Sequence, residues 1–138
     1  MNAVMGMTET TMLLWSVVLG LVQIAIAAMA GSNDVGLPYN LSSRDEPPPK
    51  PLSNVAGRLT RAAGNFRETF GLFAVSVILV LLLHRQSNGS ALGAELYFWA
   101  RVVYVPVYAL GIAVVRTVVW TVSIIGIVMV LLAAFGMA

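Results

Sequence analysis

Gly57-Arg58-Leu59-Thr60-Arg61-Ala62-Ala63-Gly64-Asn65-Phe66-Arg67-Glu68-Thr69-Phe70 opens a segment that then stays apolar, apart from Gly71 and Ser76, as far as Leu83. At about 100° per residue, Arg58, Arg61, Asn65 and Glu68 share one side of a helix, and Phe66, Phe70 and Phe73 share another. The phenyl side reads as lipid-facing. Gly57, Gly64 and Gly71 recur at every seventh position beside the polar stripe, where missing side chains let a neighbouring helix or a ligand approach closely. A helix this apolar with a built polar edge belongs in a bilayer.

The composition extends that reading to the whole chain. Of 138 residues, 59% are hydrophobic and only 10% are charged, against about 25% charged in a soluble domain. Four runs are long enough to cross a hydrocarbon core about 30 Å thick: residues 11–31, 58–84, 91–112 and 117–137. The expected fold is all-α, an integral membrane four-helix bundle, with residues 1–138 forming a single membrane domain. The first run resembles a secretory leader at Ala28-Met29-Ala30, but Glu9 is the only charge before it, whereas a leader carries a positive n-region. It reads as a retained span. A net charge of +2 gives no clustered basic surface for nucleic acid. The absence of Cys removes disulfides, thiolate metal sites and a cysteine nucleophile, and no metal site is expected.

Residues 32–56 form the only long polar connection, with the cluster Pro47-Pro48-Pro49-Lys50-Pro51 favouring extended backbone. It reads either as a solvated connector or as a lid over a site at the membrane surface. Basic residues are retained on the cytoplasmic side. Arg44, Lys50, Arg58, Arg61 and Arg116 flank the first and third connections, whereas the second has only Arg85. Loops one and three are therefore expected in the cytoplasm and both termini outside it. Trp15, Trp99, Trp120 and Tyr97 read as interfacial anchors or packing residues.

Charged residues inside spans usually face a bundle interior or cavity. In the third span Tyr97, Arg101, Tyr104 and Tyr108 fall within about 60° of arc, and Pro106 is expected to kink the helix. Counting about 1.5 Å per residue from Arg58 and Arg116 puts Glu68 about 15 Å deep, Tyr108 about 12 Å, Tyr104 about 18 Å and Arg101 about 22 Å. Glu68 is then the nearest carboxylate for Arg101. One reading is a structural ion pair with tyrosine hydrogen bonds between helices. The other is a polar pocket whose guanidinium groups and carboxylate suit a small zwitterionic anion.

Two blocks, Arg61-x-x-x-Asn65-x-x-Glu68 and Ala100-Arg101-x-x-Tyr104-x-x-x-Tyr108 followed by Arg116, resemble the membrane-associated eicosanoid and glutathione metabolism (MAPEG) family, in span order and over nearly the whole chain. The stretch from Tyr108 to Trp120 looks most like its bacterial branch. The resemblance implies a homotrimer in a bacterial inner membrane, with both termini periplasmic and glutathione as co-substrate bound near the cytoplasmic face. Arg61, Asn65, Glu68, Tyr104 and Tyr108, with Arg101 beside them, would hold glutathione. Arg116 would be the catalytic arginine, stabilising the thiolate by lowering the thiol pKa. The implied activity is a glutathione-dependent transferase or peroxidase acting on lipophilic small molecules, either electrophiles or lipid hydroperoxides. Its partners would be membrane lipids and two further copies of the chain. One departure from the family pattern is Ala30-Gly31-Ser32-Asn33-Asp34, which stands where family members carry basic residues. Two alternatives differ in class: a noncatalytic member binding lipid or a small anionic metabolite, and a small channel or transporter subunit. Only Pro106 interrupts a helix, which disfavours the last.

Overall fold

A computed structural model describes the backbone of residues 2–138 and the side chains of residues 7–138. Four long helices, α1 (Asn2–Val35), α3 (Asn54–Leu82), α4 (Asn88–Ala109) and α5 (Ala113–Ala134), are joined by short turns and by one long connection that contains α2 (Leu37–Asn40). Among the described residues three stretches are long and apolar enough to cross a membrane: Met7–Val35, Asn54–Leu82 and Ala113–Ala134. Much of their apolar surface points outward, as at Leu14, Leu21, Leu72, Leu82 and Val114. Such a surface is stable only against hydrocarbon. The chain is an integral membrane protein. At 22 residues, α4 matches α5 in length, but Glu95 and Arg101 make it less apolar.

The turns explain where the helices stop. Ser53 caps α3 by accepting from the Ala56 N–H, and the Asp34 carboxylate accepts from the Ser53 N–H at 2.8 Å, tying the two ends of the long connection together. That connection is not structureless, because Gly36 at φ 86° turns the chain into α2, with Pro38 in its first turn. Ser87 and Ser90 form a reciprocal capping box at the start of α4. Gly111 at φ 74° reverses the chain into α5. The short connections before and after α4 make it antiparallel to both α3 and α5. Pro106 does not end α4, which continues to Ala109.

Packing corrects one expectation and adds two findings. The phenyl side of α3 does not face lipid: Phe66 and Phe73 are 4% and 0% exposed, with Phe73 stacked on Tyr97 at 4.0 Å between ring centres. Phenyl groups fill the bundle, and the aliphatic residues Leu72, Val75 and Leu79 meet the lipid side. The glycine stripe meets no other helix of its own chain: a Cβ at Gly71 would find no atom within 4 Å, and one at Gly57 or Gly64 would find only an arginine side chain of α3 itself. The close approach lies elsewhere, where α4 crosses α5. There a Cβ on Gly126 would sit 2.6 Å from the Gly93 carbonyl oxygen and 2.7 Å from the Tyr97 nitrogen. Glu9, the charge that precedes the first apolar run, lies inside the bundle. It is fully buried and accepts a hydrogen bond from the Ser90 hydroxyl, docking α1 on the N-terminus of α4, where a carboxylate suits the helix dipole. Phe73, Val77, Val80, Ala94, Ile127 and Val130 complete the core at that end of the bundle.

Candidate functional site

Toward the other end of the bundle α3 and α4 are joined by polar rungs. Thr69 and Tyr97 share a buried hydroxyl–hydroxyl bond of 3.1 Å, and Arg101 Nη1 donates to Asn65 Oδ1 at 2.8 Å. Arg61 Nε donates to the Tyr108 hydroxyl at 3.2 Å, and Arg58 Nη1 to the Ala109 carbonyl at 3.3 Å. The α3 members, at 58, 61, 65 and 69, are three or four residues apart, so each turn of α3 presents one polar group to the same neighbour. The ladder sets the register of the two helices.

It also corrects the partner expected for Arg101. Counting depth back from Arg116 runs through the turn at 110–112 and the first turn of α5, which adds length that α4 does not have. Measured from Ala109, Arg101 lies about 12 Å along α4, and Asn65 lies about 10.5 Å along α3 from Arg58. The two are therefore level, and Arg101 meets Asn65. Arg101 is 1% exposed, lies over the Tyr104 ring at 4.2 Å, and leaves Nε and Nη2 without partners.

The lower rungs open into a cleft of about 520 Å³ between α3, α4 and α5, lined by Arg61, Gly64, Asn65, Glu68, Tyr104, Tyr108, Arg116, Thr117 and Trp120. Its size falls in the range of small-molecule sites. Six of the seven residues singled out in the sequence lie together on its walls. The seventh, Arg101, stands behind them. Arg116 rests over the Tyr108 ring at 4.9 Å, and its guanidinium N–H groups and the Glu68 carboxylate have no hydrogen-bond partner among the described residues. The cleft thus offers two guanidinium groups, one carboxylate, an amide and two phenols. Arg58 belongs to the fold instead, packed against Gly111 and the end of α4. Thr117 also lines the cleft, and Trp120 extends the Arg116 face at four residues, a helical spacing that could have marked it as more than an anchor.

The long connection does not cover this cleft within the chain. Tyr39, Arg44 and Pro48 line a separate hollow against Ala28 and Gly31 at the end of α1, and Arg44 Nη2 donates to the Asn40 carbonyl. The lid reading is not met. Glu68 also lines an apolar groove between α3 and α5 with Gly71, Leu72, Ile127 and Leu131, so polar cleft and lipid side adjoin at one carboxylate.

Comparison with known families gives a match to the model described as the MAPEG family over residues 11–136. No curated protein matches the chain closely enough to serve as a relative.

Proposed function

The chain belongs to the MAPEG family, and from that premise we propose that it is a glutathione-dependent membrane transferase or peroxidase acting on lipophilic electrophiles or lipid hydroperoxides. One observation carries the reading: Arg61, Asn65, Glu68, Tyr104, Tyr108 and Arg116 line a single cleft. A zwitterionic peptide needs cations for its carboxylates and an anion for its ammonium group, and the cleft holds both. Arg116, whose guanidinium N–H groups are uncommitted, stabilises the glutathione thiolate. With an electrophile, the thiolate sulfur forms a carbon–sulfur bond and the leaving group departs with its electron pair. With a hydroperoxide, the sulfur attacks the terminal oxygen, releasing an alcohol after protonation and leaving a glutathione sulfenic acid. A second glutathione converts that to disulfide and water.

In this reading all four long helices cross the bilayer, with the ladder end of the bundle and the long connection in the cytoplasm of a bacterial cell. Three protomers assemble, which accords with the outward position of Arg61 and Glu68 on a single chain, because charged groups at membrane depth need cover.

The test is melting of the purified protein in detergent with and without glutathione, together with ultraviolet absorbance of the thiolate. Glutathione raises the melting temperature, and Arg116→Ala abolishes the thiolate band. No shift at millimolar glutathione sinks the proposal. The second reading, a noncatalytic member binding a small anionic metabolite or lipid, draws on the basic residue missing from the end of α1, where Asp34 instead caps Ser53. It predicts no thiolate band and a melting shift with the anion.

A further inference from the structure

We infer that Arg101 is a positioning residue that turns the Asn65 amide so that only its NH2 group faces the cleft, making Asn65 a donor for an acceptor group of the ligand. The inference rests on the proposed glutathione site and adds a specificity determinant to it. A guanidinium has five N–H donors and no acceptor. Of the two ends of an amide, only the carbonyl can meet it. The 2.8 Å bond from Arg101 Nη1 to Asn65 Oδ1 therefore fixes which end points inward, and it does so from outside the cleft, since Asn65 lines the cavity and Arg101 does not.

The guanidinium is itself held fast. It is buried, lies over Tyr104 at 4.2 Å and sits 5.7 Å from the Phe66 ring centre, so the contact that orients Asn65 has little freedom to slip. Among the described residues no carboxylate forms an ion pair with it. A buried cation with a single hydrogen-bonded acceptor is costly to keep, and orienting one amide and one phenol ring of the cleft is what this one does. The cleft wall then presents donors at Arg61, Asn65 and Arg116, with Glu68 as its carboxylate. That pattern favours a ligand with more acceptor than donor groups.

Asn65→Asp tests this directly. Arg101 holds one carboxylate oxygen, and the other faces the cleft as an acceptor where a donor stood. Glutathione affinity, measured by calorimetric titration of the purified protein in detergent, falls about tenfold or more, the scale of one hydrogen bond replaced by a repulsion. The melting temperature of the free protein rises, because the buried cation gains a counter-charge. In an Arg101→Met background the same Asn65→Asp change lowers the melting temperature instead. For affinity, Arg101→Met costs a few-fold alone and nothing further once Asn65 is Ala, since it acts through Asn65. Multiplying losses for Arg101→Met and Asn65→Ala, or unchanged affinity in Asn65→Asp, overturn the inference. Should Arg101→Met fail to fold, Arg101→Gln replaces it in both arms, because it carries no charge and its amide can meet either end of the Asn65 side chain. A wild-type protein that binds no glutathione defeats the proposed function, while the melting arm still decides whether Arg101 orients residue 65.

Discussion

Adding one methyl group at the α4–α5 crossing should unsettle the site although it lies about 12 Å along α4 from Arg101. A Cβ on Gly126 would lie 2.6 Å from the Gly93 carbonyl oxygen and 2.7 Å from the Tyr97 nitrogen, and one on Gly93 would lie 2.7 Å from the Gly126 carbonyl oxygen. These neighbours are backbone atoms and cannot rotate away. Ordinary van der Waals contact begins at 3.4 Å, so the helices must part by roughly 0.8 Å, an opening that forfeits a quarter to a half of the dispersion attraction along the seam. Overpacking of this kind costs about 1–3 kcal/mol, offset by up to about 1 kcal/mol from the better helix propensity of Ala. We expect Gly126→Ala to lower the melting temperature in detergent by about 3–8 °C. Gly93→Ala should do the same, and the double variant should lose less than the sum, because the first methyl has already parted the helices. Tyr97 rides on the same turn of α4, so its bond to Thr69 should loosen and glutathione affinity fall as well. Melting temperatures within 1 °C of wild type for both single variants, or strictly additive losses, would refute the claim that the crossing is closed.

Thr69→Val strands the buried Tyr97 hydroxyl and should cost about 1–3 kcal/mol in chemical denaturation; pairing it with Tyr97→Phe should recover much of the loss, and an uncompensated double variant would speak against the bond. Arg58→Ala removes the contact to the Ala109 carbonyl and should cost about 0.5–1.5 kcal/mol while leaving glutathione affinity unchanged by calorimetry, since Arg58 is not on the cleft wall. Gly71→Leu fills open space on a single chain. If Gly71 packs against a neighbouring protomer, the change leaves the helical content seen by circular dichroism intact but reduces the assembled mass measured by light scattering; unchanged mass would place Gly71 away from a subunit contact. Asp34→Ala frees the Ser53 N–H and should speed proteolytic nicking between residues 41 and 53 with little change in melting temperature.

Much of this was legible in the sequence because the bilayer imposes length and apolarity on every crossing helix. The four apolar runs locate the four long helices to within a few residues at most ends. The exception is α1, where Thr8, Glu9 and Thr10 lie inside the helix. Six site residues could be gathered because helical spacing puts Arg61, Asn65 and Glu68, and separately Tyr104 and Tyr108, on shared faces. Spacing says nothing about which direction a face points in the assembled bundle. Hydrophobicity separates neither Phe66 from Leu72 nor Gly71 from Gly126, and each of those pairs divides into one residue inside the bundle and one outside it. The partner of Arg101 was missed because a carboxylate is the expected match for a cation, and here the match is an amide set by helix register.

The bond between Glu9 and Ser90 joins residues 81 positions apart, and that separation has a consequence for how the protein is made. When α1 leaves the ribosome and enters the membrane, the hydroxyl that will receive its carboxylate has not been synthesised. Of the two helices α1 is made earlier, yet it is seated only when the start of α4 arrives. An error in placing α4 would leave α1 without this anchor.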